Sequence, residues 1–206
     1  MKRKLSALAG MLVLLCASLV QAQDVNKPML LVAQPGLKGP YSRTALIVVP
    51  MGDKHMGFIL NRASETKLAA AFPEHPPSAK VVEPIYLGGP EAAEALFAVL
   101  PRDPGKPSIR MFGELYMTGS GKAIDRIIEQ TPNEARYFAG FVGWLPDQLA
   151  REIEAGFWFV GEADATQVFR KDTATMWEDL VKRLGGGRAP RGPGERDAGL
   201  PAPAPS

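Results

Sequence analysis

Ala45-Leu46-Ile47-Val48-Val49-Pro50-Met51-Gly52-Asp53-Lys54-His55-Met56-Gly57-Phe58-Ile59-Leu60 is the stretch on which the fold turns. Two apolar runs of strand length, Ala45–Val49 and Met56–Leu60, flank Pro50 to His55, a segment crowded with turn-forming residues. The pattern predicts a β-hairpin. Outward from it, Met29–Ala33 reads as an earlier strand, and Ile85–Leu87, Leu96–Leu100, Ile109–Met117 and Arg136–Val142 read as later ones, the last broken at Gly143-Trp144. Helical spacing is confined to three segments. Ile124, Ile127 and Ile128 recur at i, i+3, i+4 behind Ser120 as a cap, and Trp177, Leu180, Val181 and Leu184 recur at i, i+3, i+4, i+7. A third helix is expected to open at Pro146 and bury Leu149 and Ile153. Strands and helices in this mixed order, without internal repeat, give a single α+β domain.

The chain ends differ from that domain. Lys2, Arg3 and Lys4 precede a continuous apolar stretch from Leu5 to Val20, and Val20-Gln21-Ala22 suits signal peptidase, so residues 1–22 read as an export signal cleaved after Ala22. The apolar run is short for a retained membrane span. Leu15 before Cys16 departs from a lipobox, so an uncleaved anchor and a lipoprotein are the weaker alternatives. Residues 185–206 hold six glycines and five prolines, a composition that reads as a disordered tail. Between them, residues 23–184 are long enough to bury one sizeable core.

Processing also changes the chemistry on offer. Cys16 is the one cysteine, so the processed chain lacks disulfides, thiolate metal sites and cysteine nucleophiles. The whole chain carries a formal +2, and loss of the three leader cations leaves −1. Nucleic-acid binding needs a basic surface, and that balance argues against it. Thr118-Gly119-Ser120-Gly121-Lys122 resembles the end of a phosphate-binding loop, but Tyr116 and Ala123 stand where a Walker loop needs glycine and a hydroxyl residue, so it reads as a helix start. No G-x-S-x-G turn surrounds Ser42, Ser64, Ser78, Ser108 or Ser120. His55 and His75 both fall in expected turns as surface residues, without paired ligands for zinc. No catalytic residue, metal site or cofactor is therefore assigned.

One segment has a more particular order: Gly140-Phe141-Val142-Gly143-Trp144-Leu145-Pro146-Asp147-Gln148-Leu149, then Glu152-Ile153 and Trp158. It resembles the G-x-x-G-W-x-P-x-Q-L signature of the YqgE/AlgH family, followed by E-I and a strand tryptophan. Supporting matches are Leu31-Val32-Ala33, Pro35-Gly36-Leu37, Tyr41-Ser42-Arg43-Thr44, Gly57 to Arg62, and Gly88-Gly89-Pro90, so the resemblance runs from Pro28 to Leu184. It implies an α+β fold whose bent, mostly antiparallel sheet closes into a pseudo-barrel with a few flanking helices, and no established enzymatic activity. The leader and tail depart from typical cytoplasmic members. A histidine often found after the G-G-P strand is replaced here by Ala98-Val99-Leu100-Pro101-Arg102. The family name also carries a regulatory reading, which export away from the genome opposes.

The matched residues define a candidate ligand site: Arg43 and Arg62 for an anionic group, Asn61 to orient it, Gly88 and Gly89 for close approach, and Trp144 as an apolar wall. The competing reading makes Trp144 core, the glycines turns and the arginines partners of carboxylates, and residue habits favour it. The expected function is a non-catalytic binding protein of the periplasm or secreted space, taking an anionic small molecule or an envelope protein. An enzyme of unrecognised chemistry and a regulatory module are the alternatives.

Overall fold

The computed structural model describes residues 24–186; the expected leader with Cys16, and the expected tail beyond its first two residues, lie outside them. The hairpin forms as β2 (Ala45–Met51) and β3 (Lys54–Ile59), with Val48 opposite Gly57. Its strands run further into the punctuated segment than expected, because Gly52 at φ +68° lets two residues close the turn. Around it lie β1 (Met29–Ala33), β4 (Ala63–Lys67), β5 (Pro84–Leu87), β6 (Glu91–Leu100), β7 (Ile109–Phe112), β8 (Leu115–Thr118), β9 (Arg136–Trp144) and β10 (Trp158–Glu162). The helices are α1 (Leu68–Ala71), α2 (Gly121–Gln130), α3 (Gln148–Glu154), α4 (Ala165–Val168) and α5 (Met176–Gly185). This is the expected α+β architecture. None of these helices is long and apolar enough to cross a membrane.

The strands form one curled sheet in the order β10-β1-β2-β3-β9-β6-β8-β7, with β4 and β5 branching from β9. Every pair is antiparallel except β5 with β9. Side chains alternate between two cores. In β9, Tyr137 enters one and Phe138 the other, and in β6, Ala98 and Leu100 oppose Val99 in the same way. The smaller core takes Ile124, Ile127 and Ile128 of α2, each contributing about 1.5–3 kcal/mol by leaving water. The larger takes Met176, Trp177 and Leu180 of α5.

Four expectations change. Ile109–Met117 is a hairpin rather than one strand, because Gly113 at φ +49° turns the chain between Phe112 and Leu115. Gly143 and Trp144 remain inside β9 and pair with Met56 and His55. Helix α3 begins at Gln148, since Asp147 adopts φ +60° and the Gln148 amide closes a turn onto the Leu145 carbonyl; Leu149 is buried, while Ile153 is only half-buried. Gly185, the first residue of the expected tail, still belongs to α5. Strand β4 went unread because Ala63-Ser64-Glu65-Thr66-Lys67 has no apolar period; it pairs only with β5 and is largely exposed.

Candidate functional site

The signature residues assemble around one buried carboxylate. Gln148 and Glu152 stand one helical turn apart on α3 and so share a face. Glu152 Oε2 accepts the indole N–H of Trp144 at 2.9 Å and that of Trp158 at 3.0 Å. Its Oε1 accepts from Gln148 Nε2 at 3.0 Å, and Gln148 Oε1 in turn accepts from the Leu145 amide. Three neutral donors thus meet a carboxylate that is only 6% exposed, the condition under which a buried charge is tolerable. Trp144 and Trp158 are themselves buried, and the Trp144 ring packs against Gly57, where a Cβ would come within 3.1 Å of it.

Tyr41 continues the assembly outward, its ring edge-on to Trp158 at 6.2 Å between centroids. Burial pushes its phenol up to about 12, with the Glu91 and Glu152 carboxylates adding to the rise and Arg62 opposing it. Arg62 is half-buried, which pulls its guanidinium below the ordinary value, and it donates to the Pro40 carbonyl. Glu91 Oε2 is buried with no hydrogen-bond partner among the described residues.

Asn61 joins the loop before β2 to the end of β3. Its Oδ1 accepts from the Ala45 amide at 3.0 Å and its Nδ2 donates to the Arg43 carbonyl at 2.9 Å. Arg43 itself sits at φ +55°, lays its guanidinium over Trp177 at 4.4 Å and pairs with Glu178. Trp177 is fixed from behind by donating to the Ala33 carbonyl at 2.8 Å. Gly88 and Gly89 serve close approach: a Cβ would lie 2.3 Å from the Gly140 oxygen at Gly88 and 2.1 Å from the Phe141 carbonyl at Gly89. The Gly88 carbonyl accepts from Ile59, and the Leu87 amide donates to Arg62, which ties this crossing to the end of β3.

The structure therefore brings Arg43, Asn61, Arg62, Gly88 and Gly89 to the β3 exit and links Trp144 to them through Glu152, Trp158 and Tyr41. None of the six lines either of two surface hollows among the described residues, one beside Val81 and Lys171 and one beside Leu100 and Thr131. Glu152 escaped the sequence reading as a functional side chain, although its i, i+4 pairing with Gln148 between two tryptophans was the signal.

His75 Nδ1 lies 2.8 Å from Ser78 Oγ, and its Nε2 lies 4.0 Å from Asp125 Oδ1. The order looks like a hydrolytic triad, but Ser78 is fully buried, and the carboxylate lies beyond hydrogen-bond range. His55 departs from its expected surface turn: it belongs to β3, is 8% exposed and bonds the Val25 carbonyl at 2.7 Å. Among the described residues no three His, Cys, Asp or Glu side chains gather as for a metal ion.

The AlgH-like family model, DUF179, matches residues 30–189. The chain belongs to this family. A UPF0301 protein of Cytophaga hutchinsonii is 26% identical over 169 residues, covering 79% of this chain and 91% of that protein. A UPF0301 protein of Chlorobium luteolum is 31% identical over 160 residues, covering 73% and 80%. The crystal structure of a Corynebacterium diphtheriae protein superposes with a TM-score of 0.65 at 26% identity, covering 79% of this chain and 89% of that one. The solution structure of the AlgH protein from Pseudomonas aeruginosa gives 0.64 at 24% identity, covering 77% and 88%, and shares the fold. The AlgH-like family is one of uncharacterised function, and its curled α+β sheet is the one described above.

Proposed function

We propose that this AlgH-like chain is an exported binding protein without catalytic chemistry of its own, acting in the periplasm or secreted space after cleavage behind Ala22. The observation that carries the reading is the convergence of the signature segments on a hydrogen-bonded base around Glu152, with charged side chains at its rim. Arg43 and Arg62 supply the contacts to an anionic group of a small molecule or envelope protein, and Asn61 fixes the loop that presents them. Gly88 and Gly89 hold the backbone close, while Trp144, expected as an apolar wall, is buried in the base against Glu152. The Glu178 carboxylate on Arg43 and the Pro40 carbonyl on Arg62 occupy the places that the ligand's oxygens take over.

The test expresses the full chain with its leader and isolates it from the cell envelope. N-terminal sequencing is expected to start at Gln23. A bound partner or metabolite is expected to be lost from the folded double variant Arg43→Ala, Arg62→Ala. An intact leader on soluble cytosolic protein would overturn the setting, and equal retention by the double variant would overturn the site. Turnover of a metabolite library that the double variant abolishes would replace the binding protein with an enzyme.

A further inference from the structure

At the start of the strand that carries the signature, Arg136 opens β9 with only 1% exposure, a rare depth for a guanidinium. Its Nε and Nη2 reach Glu83 Oε2 at 3.1 and 3.0 Å, Nη2 also donates to the Arg170 carbonyl at 2.9 Å, and its face covers Tyr86 at 4.2 Å. Nη1 is buried with no partner among the described residues. The other oxygen of Glu83 is taken by Lys171, whose side chain is 78% exposed. Two cations thus share one carboxylate, and the group keeps a surplus positive charge in a partly desolvated place. Beside it opens a hollow of about 320 Å³ lined by Val81, Val82, Glu83, Asn133, Ala135 and Lys171. Asn133 braces this wall by accepting from the Val82 amide and donating to the Lys80 carbonyl, and Val82 is 74% exposed.

We propose that this hollow binds a small organic anion, one carboxylate or phosphate group carried on a short apolar body. Lys171 is the contact: its long stem lets the ammonium leave Glu83 and follow the anion, while Glu83 stays with Arg136. Arg136 is not among the lining residues and acts from behind Glu83, its unspent charge making the hollow favourable to an anion where buried charge is poorly screened. Val81, Val82 and Ala135 take the apolar body. The site shares no lining residue with the proposed recognition surface, and eight residue steps of β9, at most roughly 27 Å, part Arg136 from Trp144.

The experiment is an amide NMR titration of the full chain with inorganic phosphate and with butyrate, against sodium chloride at matched ionic strength. Saturable shifts confined to residues 81–83, 133–136 and 171 are expected from at least one probe, and which probe saturates assigns the headgroup. Lys171→Glu is expected to weaken binding about tenfold or more, whereas Lys54→Glu, the same charge change at the start of β3, leaves it unchanged. Shifts that merely follow ionic strength, or equal weakening by the two lysine variants, would overturn the site. Because neither readout involves Arg43 or Arg62, failure here leaves the signature-residue surface untouched.

Discussion

Among the described residues, the buried charge at the Trp144 end of β9 is a carboxylate whose hydrogen bonds all come from neutral N–H groups; at the Arg136 end it is a guanidinium that shares its one carboxylate with Lys171 and leaves Nη1 without a partner. The difference follows from donor counts. A carboxylate is satisfied by a few donors, and α3 with its flanking tryptophans delivers them within fifteen residues of chain. A guanidinium has five N–H groups to place, and its acceptors come from Glu83 and Arg170, far away on either side in sequence. The first end is thus a finished structural joint, whereas the second retains unspent charge.

The whole comparison collapses if β9 loses its bed. Gly89→Ala drives a Cβ to 2.1 Å from the Phe141 backbone, which no side-chain rotation relieves, so a loss above about 4 kcal/mol is expected, read as loss of soluble folded protein by circular dichroism. Glu83→Gln strikes the guanidinium end alone by removing the carboxylate of a buried Arg136; about 3 kcal/mol is expected, seen as a lower urea midpoint at unchanged slope. Glu152→Gln strikes the other end. Its amide oxygen still accepts both indoles but its NH₂ then faces the NH₂ of Gln148, for an expected cost of about 2 kcal/mol in the same assay. If Glu152→Gln proved the costlier of the two, the contrast between a finished and an unfinished end would be reversed.

A gentler probe is alkali. Both ends carry a half-buried or buried tyrosine raised above the ordinary phenol range: Tyr41 to about 12 by burial, and Tyr86 by burial with Arg136 opposing. The protonated phenol is favoured in the folded state, so the unfolded chain releases its protons first as pH rises, and stability present below about pH 10 declines toward pH 12. Ultraviolet titration is expected to ionise Tyr86 before Tyr41, because of the two rings only that of Tyr86 has a guanidinium over it among the described residues. Tyr41→Phe is expected to flatten part of the alkaline decline, and an unchanged decline would contradict the burial of that phenol.

What could be read in the sequence follows the same division. Ala45–Leu60 and the isoleucines of α2 announced themselves because burial imposes a local period, and the signature around Trp144 was compact enough to be seen as a unit. The turn at Gly113 stayed hidden inside a run that is apolar on both sides, and β4 stayed hidden because an exposed edge has no period to show. Of the candidate residues, Arg43 lies in the loop before β2, and Asn61 and Arg62 lie beyond β3, with Asn61 tying the two segments together. The burial of Arg136 was invisible, since nothing within the residues near it in sequence announces Glu83 or Arg170 as acceptors.

Among the described strands β9 alone pairs with three others, β3, β5 and β6, so every ladder from the β1 side to the β7 side passes through it. The domain is in effect a book whose pages are sewn to a single spine. Opening it there frees all leaves together, which makes β9 the last segment to exchange its amide hydrogens and the first that a circular permutation must leave whole.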